Sequence, residues 1–170
     1  MHLDVRRISP DELDTFCAIL SEAAAWLAQA GMPMWTAEQV SPAGVWAEYH
    51  DAELFLGFVD GVAAATIIVQ EEDPVFWPEA APGTSLFVHK LSVRRAYAKQ
   101  GVSQAMLAWA GEEAIRRGKA YLRLDCAAER SKLRTFYESL GFVLVREQVM
   151  FGQYPTAFYE RRLITPRLKS

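Results

Sequence analysis

The sequence predicts an α+β fold, with a mixed, mostly antiparallel central sheet of about seven strands and four helices, in a single domain spanning residues 1–170. Two observations carry that fold class. ELFLGFVDGVAAATIIVQ is a pair of apolar runs hinged at Asp60-Gly61, a dipeptide suited to the positive φ angles of a two-residue hairpin turn. An antiparallel pair this early in the chain argues against a purely parallel, doubly wound sheet. The second observation is the order of periodic segments: a strand, two helices, three strands, a helix, a strand, a helix and two strands.

After a short strand around Leu3 to Arg7, Ser9-Pro10-Asp11-Glu12 joins an N-cap serine, a proline at the first helical position and a glutamate that closes a capping box. The helix starting there carries Leu13, Phe16, Cys17, Leu20, Ala24 and Leu27 at helical spacing and stops at Gly31. A short second helix is expected between Pro42 and His50. The hairpin strands follow, then the loop EEDPVFWPEAAPGT, dense in proline and aromatic residues, and the strand SLFVHKLSV. Beyond Gly101 a helix sets Val102, Ala105, Met106, Trp109 and Ala110 on one side and ends near Gly118. YLRLDCA alternates strictly, as a strand does, and a helix from Ser131 places Leu133, Phe136, Tyr137 and Leu140 on one face before Gly141. FVLVREQVM and TAFYERRLI close the chain as strands, and the last of them, read as an edge strand, offers a route to a homodimer.

Hydrophobic residues make up 51% of the 170, enough to give one domain a sizeable core. A formal net charge of −3 provides no basic footprint for DNA or RNA, so nucleic acid is not an expected partner. No apolar run approaches the roughly 20 residues that cross a bilayer, and the charged N-terminal stretch MHLDVRRISPDELD is unlike a secretory signal. A cytosolic protein with no membrane partner is expected. Cys17 and Cys126 lie in apolar periodic segments rather than in metal or redox spacing, which reads as two buried thiols, and no metal is expected.

The stretch VRRAYAKQGVSQAML, from Val93 to Leu107, is a strand running into a basic loop that tightens at Gly101 and opens a helix. A helix N-terminus offers unpaired backbone N–H groups and the positive end of the dipole, so an anion is favoured there. Arg94, Arg95 and Lys99 add positive charge, although a solvated basic loop accounts for them equally well.

KLSVRRAYAKQGVSQAML, with YLRLDCA and LRTFYESLGF behind it, resembles the Gcn5-related N-acetyltransferase superfamily, most strongly from Leu86 to Phe142. The resemblance implies a three-layer α/β/α arrangement and acetyl-CoA bound at a strand, a Q/R-x-x-G-x-G/A loop and a helix N-terminus. It carries the cofactor loop onto Lys99, Gln100, Gly101, Val102 and Ser103, with Ala98 at its edge, and gives Leu91, Ser92 and Val93 the acetyl carbonyl and pantetheine amides. The chain departs from the pattern at Ala98, where Gln or Arg is usual, and at Ser103, where Gly or Ala is usual. Both are compatible with a pyrophosphate held mainly by backbone N–H groups. A third departure is Arg130, which stands by spacing where many relatives carry an asparagine. Arginine cannot accept a hydrogen bond, so Arg130 either meets a CoA phosphate or lies in solvent.

Acetyl transfer to an amine needs a deprotonated amine, a donor for the developing oxyanion and a proton for the departing thiolate. The resemblance puts Tyr137 near the CoA sulfur, and a phenol with an ordinary pKa of about 10 keeps its proton at neutral pH. The alternative is a core tyrosine beside Leu133, Phe136 and Leu140. His89 lies two residues before Leu91, where some relatives place an acidic residue; the two share a strand face unless a bulge near Lys90, common in the family, shifts the count, and an imidazole can take a proton at neutral pH. The alternative is a histidine satisfied within the sheet, and Glu71, Glu72 and Asp73 are the second choice of base, unless they form a solvated turn. Cys126 does not read as a nucleophile, so direct transfer without an acyl-enzyme is expected. The expected acceptor is a small molecule with a primary amine, with Trp35, Trp46, Phe76 and Trp77 as a candidate aromatic pocket and ordinary core as the alternative, favoured for Trp46. Two rival functions are a non-catalytic acyl-CoA-binding module and a protein N-terminal or lysine acetyltransferase.

Overall fold

The computed structural model describes residues 1–164. Its seven-stranded sheet runs in the order β1-β2-β3-β4-β5-β7-β6. The strands are β1 Leu3–Arg7, β2 Glu53–Val59, β3 Val62–Gln70, β4 Ser85–Val93, β5 Tyr121–Ala127, β6 Val143–Met150 and β7 Tyr154–Arg162. Four α-helices, α1 Leu13–Gln29, α2 Pro42–Tyr49, α3 Val102–Arg116 and α4 Ser131–Ser139, fall between them in the expected order. β1 with β2, β2 with β3, β5 with β7 and β6 with β7 pair antiparallel, and β4 with β5 pairs parallel, so the sheet is mixed. Two compact units are distinguishable, one formed by Met1–Val69 with Lys90–Trp109 and the other by Gln70–His89 with the chain from Ala110 onward.

In the first unit the helix entry forms as its sequence dictates. Pro10–Glu12 is a single 3-10 turn ahead of α1, Glu12 accepts from the Ser9 N–H at 3.0 Å, and Arg6 forks onto the same carboxylate at 2.8 and 2.9 Å. α1 turns Phe16, Cys17, Ile19, Leu20 and Ala24 into a core with Leu56, Ile68, Val45 and Tyr49. Ser41 caps α2 by accepting from the Gly44 N–H at 3.1 Å. The β2–β3 hairpin turns at Asp60 (φ 48°) and Gly61 (φ 85°), the two left-handed positions that a tight hairpin requires.

A register shift after Gly57 puts Ala65 opposite Gly57 and Ala63 opposite Phe58, leaving Ala64 as the extra residue of a bulge. The Ala64 carbonyl accepts from the Arg94 N–H at 2.8 Å, and that of Ala63 from Arg94 Nε at 3.0 Å. β4 has its own irregularity at Lys90 (φ 52°), whose carbonyl accepts from Thr66 Oγ1 at 2.8 Å. The simple alternation that would set His89 and Leu91 on one face does not run through a left-handed residue.

In the second unit β5 lies between β4 and β7. Ser85–Phe87 pair with Tyr121–Arg123 in parallel register, and Tyr121–Ala127 pair with Arg162–Thr156 in antiparallel register. Trp77, Phe87, Met150 and Phe158 form its core, flanked by Phe76 and Ala80. The chain from β6 turns back at Phe151-Gly152 (φ 52° and 71°) and inserts β7 between β5 and β6. This corrects the expectation of an edge position for TAFYERRLI: Phe158 and Tyr159 are fully buried, and the exposed edge belongs to β6. On α4 only Tyr137 is buried, while Leu133, Phe136 and Leu140 are half-covered.

Candidate active site

The strand–loop–helix junction belongs to the first unit. After Val93 the chain makes a 3-10 turn, Arg95–Tyr97, and then passes through two left-handed residues, Lys99 (φ 60°) and Gly101 (φ 80°), before α3 begins at Val102. Val102 is buried and anchors the helix start, and the Gly101 carbonyl accepts from the Ala105 N–H at 3.0 Å. Gly101 thus acts as the N-cap, and the N–H groups of the first turn, from Val102 to Gln104, have no partner within the helix. A Cβ at Gly101 would meet nothing within 4 Å, so the glycine is required by its backbone angle, and the space beside it is open.

The charges around this junction are divided differently from the sequence expectation. Arg94 is tied to the Ala63 carbonyl and lies 4.0 Å from Glu22, while Arg95 stacks over Trp26 at 3.8 Å and donates its N–H to Glu22 at 3.0 Å. Both arginines fasten the loop to β3 and α1. Gln100 is likewise folded back, Nε2 donating to the Ala96 carbonyl at 3.1 Å. Lys99 is exposed, as is Arg95 at the other end of the loop, Ala98 and Ser103 are half-buried, and Leu91 and Val93 flank Ser92 on β4. Ser92 is 6% exposed, and its Oγ makes no hydrogen bond among the described residues.

The two residues expected to move protons lie in the second unit. Tyr137 packs against Phe142 and Tyr159, with ring centroids 5.9 and 6.2 Å away. Burial pushes its phenol well above the ordinary range, Cys126 and Asp125 add to the rise, and Arg130 opposes it. Arg130 is half-buried at the start of α4, with an Nη1 that is shielded and makes no hydrogen bond among the described residues. It therefore does not stand fully in solvent.

His89 Nε2 lies 3.3 Å from Asp73 Oδ2, with side-chain exposures of 13% and 8%. Asp73, His89 and Asp125 each bring one polar atom within 4.8 Å of the others. Asp73 is fixed by its own loop, Oδ1 accepting from the Phe76 N–H at 3.2 Å and its carbonyl from the Trp77 N–H at 2.8 Å. The acidic run therefore divides. Glu71 is exposed and pairs with Lys119 at 3.0 Å, Glu72 accepts from the Gly83 N–H at 3.3 Å, and Asp73 alone is buried. Asp125 escaped the sequence reading altogether. The signal for it was a carboxylate inside the alternating strand YLRLDCA, where a solvated face would equally well explain it.

The aromatic residues named from the sequence are divided between the two units, Trp35 and Trp46 in the first and Phe76 and Trp77 in the second. Trp77 is core and Phe76 packs on it, whereas Trp46 is 66% exposed beside His50, which corrects its reading as core. Trp35 lies in the first unit under the Lys90 ammonium, 4.9 Å from its ring centroid, and Tyr49 lies 5.3 Å from the same ammonium. Both cysteines are buried with thiols pushed up to about 11, chiefly by burial, so neither is an activated nucleophile.

Comparison with known proteins now bears on these features. Residues 20–142 match the acetyltransferase (GNAT) family. The chain is 25% identical over 138 residues to YesJ of Bacillus subtilis, an N-acetyltransferase described as uncharacterised, covering 78% of this chain and 77% of that protein. Among solved structures, a GNAT-family acetyltransferase from Listeria monocytogenes superposes with a TM-score of 0.76 at 21% identity, covering 95% of each chain. A Salmonella typhimurium protein described as an acetyltransferase and solved with acetyl-CoA gives 0.70 at 16%, covering 100% of this chain and 99% of that one. The ribosomal-protein-S18-alanine N-acetyltransferase of Escherichia coli gives 0.70 at 19%, covering 99% of each.

Proposed function

Because the chain belongs to the acetyltransferase (GNAT) family, whose members are acetyl-CoA-dependent enzymes, we propose that it transfers the acetyl group of acetyl-CoA directly to a primary amine of a small-molecule acceptor. The observation that carries the proposal is the turn through Lys99 and Gly101, which leaves the first N–H groups of α3 open beside an exposed lysine. Lys99, Gln100, Gly101, Val102 and Ser103, with Ala98 at the edge, hold the pyrophosphate, chiefly through backbone donors. Leu91, Ser92 and Val93 supply strand backbone to the pantetheine and acetyl carbonyl, and the Nη1 of Arg130, which makes no hydrogen bond among the described residues, supports a further polar contact with the cofactor. Bound acetyl-CoA supplies a thioester that an amine can attack.

His89 takes the proton that the amine loses as its nitrogen bonds to the acetyl carbon and the carbon–sulfur bond breaks. Tyr137 gives the leaving sulfur its proton, and solvent restores both groups. Burial of Tyr137 supports the second role, since its phenol holds its proton through the neutral range. Two buried thiols are in keeping with a cytosolic setting.

The test is thiol release from acetyl-CoA in the presence of polyamines, amino acids, aminoglycosides and peptides. Release with one of the small amines is expected. Release with peptides alone would replace the acceptor class by a protein terminus or lysine. If no amine releases thiol while acetyl-CoA still raises the melting temperature, the chain is a binding module.

A further inference from the structure

We propose that Asp73, His89 and Asp125 form a binding site for a divalent transition-metal ion, zinc by its donor set. The three residues come from separate stretches of the second unit: Asp73 from the loop after β3, His89 from β4 and Asp125 from β5. Each offers one ligand atom, an imidazole nitrogen or a carboxylate oxygen, and the three atoms lie within 4.8 Å of one another. One imidazole with two carboxylates suits zinc better than magnesium or calcium, which prefer oxygen alone. Three protein ligands also leave the fourth tetrahedral position to water. No local spacing announces the set, because the ligands meet only when the three stretches fold together.

Asp73 points to the ion independently of the cluster. Its side chain is 8% exposed, and Oδ2 makes no hydrogen bond among the described residues. A shielded carboxylate oxygen in that state carries a desolvation cost that a cation offsets. A protonated His89 is the simplest such cation, but an imidazolium paired with a carboxylate sets its N–H on the oxygen. Here Oδ2 and Nε2 approach to 3.3 Å without forming a hydrogen bond. Two ligands of one tetrahedral zinc, each about 2.0–2.1 Å from the metal, stand about 3.3–3.4 Å apart. The pair therefore has the spacing of two ligands side by side on a shared ion. Oδ1 of Asp73 accepts from the Phe76 N–H at 3.2 Å, an outer contact of the kind that orients a metal-binding carboxylate. Glu71, paired with Lys119, and Glu72, turned to the Gly83 N–H, take no part.

An imidazole whose Nε2 holds a cation resists protonation. Occupancy is expected to stop acetyl transfer, so the ion acts as an inhibitor and not as a cofactor. That consequence rests on the reading of His89 as the base, whereas the site itself does not.

The test is calorimetric titration of the full chain, free of any histidine tag, with ZnCl₂ in the absence of acetyl-CoA and amine. Saturable binding of a single ion is expected, and Co²⁺ in its place should give the intense visible absorption of four-coordinate cobalt. Asp73→Asn, Asp125→Asn and His89→Gln should each weaken Zn²⁺ binding about tenfold or more while the metal-free melting temperature is kept. Asp73→Asn retains an oxygen for the Phe76 N–H, so its turn survives. Replacing the other two histidines, His2→Gln with His50→Gln, should leave binding unchanged. Absence of binding, binding that persists in the three cluster variants, or loss in His89→Gln alone would overturn the site. Loss on replacing His2 and His50 would place the ion elsewhere and overturn it too. Zn²⁺ that binds at the cluster yet leaves the yield of N-acetylated amine unchanged would keep the site and remove His89 from the role of base.

Discussion

At Gly101 the backbone turns through φ 80°, and an L side chain there is strained although a Cβ would touch nothing within 4 Å. Left-handed strain costs a non-glycine residue about 1–2 kcal/mol, and a side chain would also project into the open space beside the α3 donors. Gly101→Val is therefore expected to lower the melting temperature by a few degrees and to weaken acetyl-CoA binding by about tenfold or more, as calorimetry would measure. Ala98→Arg, which alters a half-buried edge position and no backbone donor, should change the same affinity only modestly. Tyr137→Phe removes the phenolic proton and keeps the ring packed on Phe142 and Tyr159. Steady-state kinetics should show kcat down about 100-fold with the KM for acetyl-CoA nearly unchanged.

The cysteines give a residue-scale prediction for stability. Each thiol is raised by burial from 9.0 to about 11 in the folded chain. Between those values the unfolded chain has released protons that the folded chain retains, so stability is full below about pH 9 and falls as pH rises toward 11. Melting curves should show this alkaline loss, and Cys17→Ala with Cys126→Ala should flatten it, beyond the cost of the two small cavities. Alkylation of the native protein at neutral pH should be slow at both thiols. His89 and Tyr137 could be named from sequence because their types suit proton transfer and the family resemblance gave them places. Asp73 could be named only within an acidic run, since its burial comes from the turn it caps, and Asp125 had no local mark at all.

At the scale of elements, local chemistry was the legible part. The stretch from Pro42 to His50 was expected to form a helix, and its cap came from the structure: Ser41→Ala should cost about 1 kcal/mol, read as a lower melting temperature, because the Gly44 N–H loses its acceptor. Asp60-Gly61 announced the hairpin, and its two left-handed residues occupy the turn. The bulge at Ala64 did not announce itself, and the irregularity at Lys90 followed from the family resemblance alone. Ala64 and Lys90 take their irregular places from contacts with Arg94 and Thr66, which lie 30 and 24 residues away in sequence. The order of the last two strands was equally hidden, since β6 and β7 are both apolar runs joined by a short turn. Only the pairing of Tyr121–Ala127 with β7 decides which becomes the edge. The route to a dimer suggested by the sequence loses its strand, and β6 inherits the exposed edge, with Val143, Val145 and Val149 all exposed.

At the scale of the whole molecule, the sheet order and helix placement are those of an acetyltransferase, and the family match covers residues 20–142. No helix among the described residues is long and apolar enough to cross a membrane. The chemistry proposed for the chain is a direct transfer in which it moves protons and never carries the acetyl group. The most direct measurement follows one turnover by mass spectrometry, with the amine that releases most thiol. N-acetylated amine and free CoA should appear in equal amounts while the protein mass stays unchanged. An acetylated protein intermediate, or thiol released without N-acetylated product, would contradict direct transfer.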